Sequence, residues 1–467
     1  MLFLVTTLLV SCKVKVKQDT EEMMLPVKRD FAEIRQSGVL KVVIDYNSTN
    51  YFVYRGKPMG FQYELLNKLA KDLDLELQLI VSNNLKETFD GLLSGKYDLV
   101  AKNLTVTKKR NEIVNFTQPL TLTRQVLVQR KPEGYEKMSA EELNKKLIRN
   151  QLELANKPVV VQKNTAYYTR LLHLSDEIGE PIDIKEDTIY GVERLMALVA
   201  SGEIDYTVGD EHVAQVNQSY FPNLDVNTPV SFEQKLSWAV RKNSPDWENV
   251  LNKWIDENHN TTWFAVVYNK YFKAQRAQPR MDSDYHSFNG GKLSAYDLLV
   301  KKMSHKYSWD WRLIAALIFQ ESRFKPDAES WAGAYGLMQV MPETADRFDI
   351  ADFQTPKANL LVGLKMLNWL DEQFTNEITD REVRLKFVLA AYNVGLGHVK
   401  DAQRLARKYG KNPKLWDGNV DEFLLNKSSS KYYKDPVVKW GYCRGEEPYN
   451  YVIEILNRYQ HYQNLIN

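Results

Sequence analysis

Leu40-Lys41-Val42-Val43-Ile44, the amphipathic stretch Phe61 to Leu73, and Leu75 to Val81 form the run on which the fold turns. The first and third segments are short, apolar and β-branched, as buried strands are. Between them Leu65, Leu66, Leu69 and Leu73 recur at helical spacing and fall on one stripe. Strand, helix, strand in that order is a parallel crossover unit. The alternation resumes after a polar, Lys- and Glu-rich stretch near 131 to 157. Val159-Val160-Val161 and Tyr206-Thr207-Val208 read as strands, Ala166 to Leu174 and Gly191 to Ala200 as helices. Leu92 to Asp98 is echoed in form by Leu198 to Asp205, each a helix closed by a glycine cap and feeding a strand. Two α/β lobes are therefore expected up to about Phe272. Residues 273 to 292, with Gln278-Pro279-Arg280 and Asn289-Gly290-Gly291, lack periodicity and read as a linker. From Leu293 onward the periodicity is helical throughout. The expected fold class is a two-lobed α/β domain followed by an all-α domain.

Composition excludes several functions. The chain has 467 residues, 62 Lys+Arg against 60 Asp+Glu, and a formal charge of +2, so no one-sign field advertises nucleic acid. Two cysteines, Cys12 and Cys443, are too few for a disulfide framework or a Cys-rich zinc site, and the seven histidines show no ligand spacing; no metal or cofactor is expected. Aromatic residues at 12% suit clefts that stack on rings, and equally suit core and rim. The apolar run Met1 to Ser11 is too short to span a bilayer. It resembles a bacterial lipoprotein signal ending at a lipidated Cys12, although no Lys or Arg precedes the apolar stretch; an untidy N-terminus is the alternative. Under the first reading, residues 13 to 35 are a tether, Cys443 is a lone buried thiol, and the protein is a peripheral lipoprotein on the periplasmic face of the outer membrane.

In the segment Trp311 to Glu321, residues Leu313, Ile314, Leu317 and Ile318 share one helix face, and Glu321 continues it. A carboxyl on an apolar stripe is desolvated, which raises its pKa and suits a general acid. A helix-end Glu that turns out to solvent is the competing reading.

Two resemblances sharpen this picture. Gly60-Phe61-Gln62-Tyr63-Glu64-Leu65, Leu92 to Asp98, Asn103-Leu104-Thr105-Val106-Thr107-Lys108-Lys109-Arg110 and Val114-Asn115-Phe116-Thr117-Gln118-Pro119 resemble a periplasmic solute-binding domain of the polar amino-acid type over 36 to 272. That resemblance implies hinged lobes closing on a small ligand, with Thr105 and Arg110 meeting its carboxylate and Asp210 its ammonium. Gln62 departs from the Asp usual in that turn. On the residues alone, Arg110 could equally be a solvated member of the Lys108-Lys109-Arg110 run, and Asp210 a helix N-cap.

Glu321-Ser322-Arg323-Phe324, Gly333 to Ala345, Ala390-Ala391-Tyr392-Asn393-Val394-Gly395 and Glu447-Pro448-Tyr449-Asn450-Tyr451-Val452 resemble the lytic transglycosylase domain related to goose-type lysozyme, over 293 to 467. The resemblance implies cleavage of peptidoglycan glycan strands at the MurNAc-β-1,4-GlcNAc bond, with Glu321 first as acid and then as base. The muramic C6 hydroxyl would attack its own anomeric carbon and leave a 1,6-anhydro end. It further implies that Ser330, Gln339, Met341, Tyr392, Glu447 and Tyr451 line the sugar subsites, and that a muropeptide or amino-acid-like effector in the front domain modulates cleavage. Plain core or turn roles are the alternatives for Ser330, Gln339, Met341 and Tyr451. The competing functions are a solute receptor with a non-catalytic glycan-docking domain, and a lysozyme-like hydrolase that admits water.

Overall fold

The computed structural model describes residues 27–188, 190–273, 285, 287 and 291–466. The proposed signal and Cys12 lie outside the described residues. The chain begins on the first lobe, with β1 (Val39–Ile44), the hairpin β2 (Phe52–Tyr54) and β3 (Lys57–Met59), β4 (Glu76–Val81), β5 (Leu99–Thr105), β6 (Val114–Phe116) and β7 (Thr121–Thr123). It crosses to the second lobe for β8 (Gln125–Arg130), β9 (Pro158–Gln162), β10 (Asp183–Asp187), β11 (Tyr206–Asp210) and β12 (Leu224–Pro229), and returns as β13 (Gln234–Arg241).

The first sheet runs β4-β1-β5-β13-β6, with β7 also on β13; the second runs β10-β9-β11-β8-β12. β1 is parallel to β4 and β5, as the crossover reading requires, while β13 is antiparallel to β5. The return of β13 departs from a simple division into an early and a late lobe. It brings helices Pro245–His259 and Thr262–Phe272 back to the first lobe, where Trp247, Trp254, Phe264 and Tyr271 fill the core beside Phe61 and Trp238. The two crossings lie side by side: Val230 N donates to Gln125 O at 2.8 Å, and Gln125 N donates to Ser231 Oγ at 2.8 Å. Two adjacent connecting strands make a hinge.

Of the tether expected over 13 to 35, residues 27 to 35 are described, and they pack on the first lobe. Arg29 pairs with the fully buried Asp98 at 2.7 Å, and Asp30 caps the helix Phe31–Ser37, whose Ile34 is buried against the lobe.

From Asp297 the described chain is helical. Asp310 caps the helix Trp311–Ser322 by accepting from Arg312 N, Thr355 caps Pro356–Thr375, and Asp380 caps Arg381–Val394. Helix Trp311–Ser322 packs on the C-terminal helix Glu446–Leu465, and both share a core with Leu360, Leu364, Phe387 and Leu389. The domains touch through the hairpin. Val53 belongs to the core of the helical domain, and Tyr462 donates from its hydroxyl to Gly56 O at 2.5 Å. Gly56 has φ +73°, and a Cβ there would stand 2.8 Å from the Phe319 ring and 2.9 Å from that of Phe324. Only glycine fits so tight a turn against a neighbouring helix.

Candidate active site and ligand cleft

Glu321 sits in the last turn of helix Trp311–Ser322, just beyond the fully buried Leu317 and Ile318. The residue is partly exposed by surface area, yet its carboxyl is densely surrounded. Burial pushes its pKa from 4.5 up to about 7, the negative charge of Glu447 adds to the rise, and a hydrogen bond from Tyr451 opposes it. Tyr451 donates from its hydroxyl to Glu321 Oε1. It is itself buried, which keeps its phenol neutral and its proton available to donate here. The solvent-facing reading of Glu321 is thereby set aside.

The helix stops where Arg323 and Phe324 take left-handed φ of 52° and 61°. The loop that follows, 328 to 341, is closed by backbone bonds such as the reciprocal pair between Tyr335 and Val340, and side chains tie it to its neighbours. Ser322 donates to Leu337 O at 2.9 Å, tying the loop to the helix that carries Glu321. Tyr392 donates to Met338 O at 2.9 Å. Asn359 accepts from Met338 N at 2.8 Å and donates to Tyr335 O at 2.8 Å. Gln339 donates through its amide to Ala328 O and Gly336 O, so its nitrogen braces the loop. The Ser330 hydroxyl accepts from Ala334 N at 3.0 Å in the same turn, and Met341 caps the next helix, Pro342–Arg347. Glu447 lies exposed in the first turn of the C-terminal helix. Of the sequence-derived set, the structure brings Tyr451 onto the Glu321 carboxyl, brings the charge of Glu447 to bear on it, and places Tyr392 where the Glu321 charge raises its own pKa. Ser330, Gln339 and Met341 take loop-shaping contacts. Ser322 and Asn359 were not singled out from sequence; their signal was polarity at otherwise buried helix positions.

The second site is a cavity of about 200 Å³ between the lobes, lined by Thr105 and Arg110 from one side and Tyr167, Glu193 and Asp210 from the other. Arg110 is not a solvated lysine-run member: it donates to Thr105 O at 2.9 Å, and burial lowers its pKa. Asp210 precedes helix Glu211–Tyr220 but makes no side-chain cap bond. Its carboxyl, bonded to Tyr167, is raised by burial to about 7, with Arg110 opposing, and Oδ1 finds no partner among the described residues. Three charged groups were missed. Asp45 is raised by burial, Lys102 is lowered by burial to about 8 and donates to Thr88 Oγ1 at 2.6 Å, and Glu193 is raised by burial. Lys102 interrupts the apolar run Leu99-Val100-Ala101, a visible signal for a functional charge. Glu193, on the second lobe, accepts from Ser48 N at 3.0 Å and from the Ser48 hydroxyl on the first. The carboxylate thus bridges the lobes.

Both domains match known families. Residues 39–274 match the family of bacterial extracellular solute-binding proteins, family 3, and residues 299–415 match the transglycosylase SLT domain. A membrane-bound lytic murein transglycosylase F of Desulfosudis oleivorans is 33% identical over 91% of this chain and 90% of its own length. One of Pseudomonas fluorescens is 30% identical over 91% and 85%. The chain belongs to the membrane-bound lytic murein transglycosylase F family. Like those relatives it is a lytic transglycosylase with a solute-binding domain in front. A mutant ArgBP from T. maritima aligns with 52% of the chain and 98% of its own at 23% identity and TM-score 0.44. Tyr451, whose hydroxyl meets Glu321, lies on the C-terminal helix, past the matched SLT segment.

Proposed function

We propose that this transglycosylase cleaves the MurNAc-β-1,4-GlcNAc bond of peptidoglycan without water, that its catalytic domain spans 293 to 467, and that its front domain, ending at 272, senses an amino-acid-like or muropeptide effector. The observation that carries the reading is a carboxyl, Glu321, held near neutrality by burial with a phenol donating to it. At neutral pH a substantial fraction carries the proton that the leaving glycosidic oxygen needs. Once ionised, the same carboxylate takes the proton of the muramic C6 hydroxyl, whose oxygen closes on C1 to form the anhydro ring. The nucleophile is already tethered to the substrate, so no enzyme nucleophile is required. Glu447 acts as a nearby negative charge rather than as a nucleophile.

In the cleft, Arg110 with Thr105 would take a carboxylate and the unpartnered Asp210 oxygen an ammonium. Coupling to the rear domain has a route: the loop carrying Asp45, Ser48 and Asn50 runs directly into the hairpin that seats Gly56 against Phe319 and Phe324, beside Glu321 in sequence. Anchoring through a lipid on Cys12 at the outer membrane belongs to the same proposal; no described helix is long and apolar enough to cross a membrane.

Digestion of purified sacculi with mass readout tests the chemistry. The expected muropeptides end in anhydro sugars, one water lighter than hydrolytic products, and Glu321→Gln yields none while still sedimenting with sacculi. Hydrated ends would assign a lysozyme-type hydrolase. Metabolic lipid labelling that persists in Cys12→Ala would remove the anchor.

A further inference from the structure

Trp440 is 64% exposed although its backbone N–H is held by a buried carboxylate. Asp401, fully buried, accepts from Lys439 N and Trp440 N at 2.8 Å each, from Lys427 Nζ at 2.6 Å, and from Arg404. Lys427 is fully buried as well, and its Nζ also meets His398 Nδ1 at 2.7 Å. A buried ion pair costs desolvation and is weak evidence for stability in itself. Here its product is a rigid surface segment. On the other side of that segment, Cys443 is anchored in the domain core.

The indole is seated on one face only. A Cβ added to Gly397 would lie 2.4 to 2.6 Å from three of its ring atoms, so the ring rests flat on that backbone and presents its opposite face outward. Tyr442, 59% exposed, stands two residues on, with its ring edge-on to Tyr433 at 5.7 Å. Lys439 and Arg444 flank this pair and are exposed, so the aromatics form an isolated flat spot in polar surroundings rather than a broad apolar face. Both supports of the spot lie close in sequence to the helices that carry Tyr392 and Tyr451. Gly397 opens the helix Leu396–Lys408 directly after the helix bearing Tyr392, and residues 442 to 445 lead into the helix bearing Glu447 and Tyr451.

We infer that the outward face of Trp440 is a stacking platform for a pyranose ring of the glycan strand, away from the bond being cleaved. A pyranose has an apolar face of C–H groups edged by hydroxyls, the complement of a flat ring set among polar side chains. Asp401 and Lys427 are positioning residues for it. The inference rests on the glycan-cleaving reading above.

The test measures sacculus binding of Glu321→Gln with and without Trp440→Ala, and turnover of sacculi by Trp440→Ala and Trp440→Phe in the otherwise native chain. Loss of the platform is expected to weaken binding and raise KM about tenfold with kcat nearly unchanged, and Phe is expected to restore most of it. Gly397→Ala, which pushes the indole off its seat, is expected to act in the same direction. If Trp440→Ala melts with the native chain and leaves both binding and KM unchanged, the platform is refuted. Should Trp440→Ala fail to fold, full KM and binding in Gly397→Ala refute it instead. If the native chain itself cleaves nothing and Glu321→Gln binds no sacculi, the glycan-cleaving reading fails first, and the platform with it.

Discussion

The front cleft and the rear site each hold a buried carboxyl raised to about 7, Asp210 in one and Glu321 in the other, and their surroundings give the same pKa opposite uses. Asp210 faces the Arg110 guanidinium and keeps an oxygen without a partner among the described residues, so an arriving cation would ionise it. Glu321 receives a phenol hydrogen bond and has a second carboxylate, Glu447, as its charged neighbour, whose negative charge favours the protonated acid. A perturbed pKa alone therefore marks a functional group without saying which function. The partners decide.

The largest expected effect breaks the comparison at the rear. Glu321→Gln removes the acid and the base together and lowers kcat on sacculi by about 10²–10⁴-fold, read by muropeptide release. Asp210→Asn should leave cleavage by the ligand-free chain intact, yet weaken binding of whichever amino acid the native chain takes in calorimetry, by on the order of 3–5 kcal/mol for removal of one partner of a buried pair. Because Asp210 must lose its proton to meet an ammonium, native binding should also weaken as pH falls below about 7, by up to about tenfold per pH unit. Constant affinity between pH 5 and 8 would show that Asp210 does not meet the amine.

Stability sharpens the contrast with sign. The folded Glu321 carboxyl keeps its proton to about 7, whereas an unfolded one loses it near 4.5. The protonated form's contribution is fully present below 4.5 and is lost as pH rises toward 7. Glu321→Gln has no such loss, so it should be more stable than the native chain at pH 8 by on the order of 1–3 kcal/mol, with the gap closing toward pH 4 in denaturant melts. The smallest effect is kinetic. The Tyr451 bond lowers the Glu321 pKa, so Tyr451→Phe should move the alkaline limb of the pH–rate profile upward while costing about tenfold in kcat.

Much of this was legible before any coordinates. β1 and helix Phe61–Asp72 follow from β-branching and a leucine stripe, and Glu321 follows from its place on an apolar helix face. The return of β13 to the first lobe was not, because an antiparallel strand entering from another lobe leaves no local periodicity to distinguish it. Asp45 and Glu193 escaped because each becomes buried only when two distant segments meet; Glu193 is enclosed by Ser48, 145 residues away. The hairpin's place in the helical core was invisible for the same reason: Val53 reads as an ordinary strand valine. Tyr392 and Tyr451 were legible by resemblance, but their hydrogen bonds, one to Met338 O and one to Glu321, depend on helices brought together late in the chain.

The claim on which the rest depends is that Glu321 carries its proton at neutral pH. Selective carbon-13 labelling of glutamate in the full chain, with Glu321→Gln used to assign the Cδ resonance, reads that proton directly during a pH titration. The account predicts a midpoint near 7 that moves higher in Tyr451→Phe. A midpoint at the ordinary 4.5 of an exposed glutamate would contradict it.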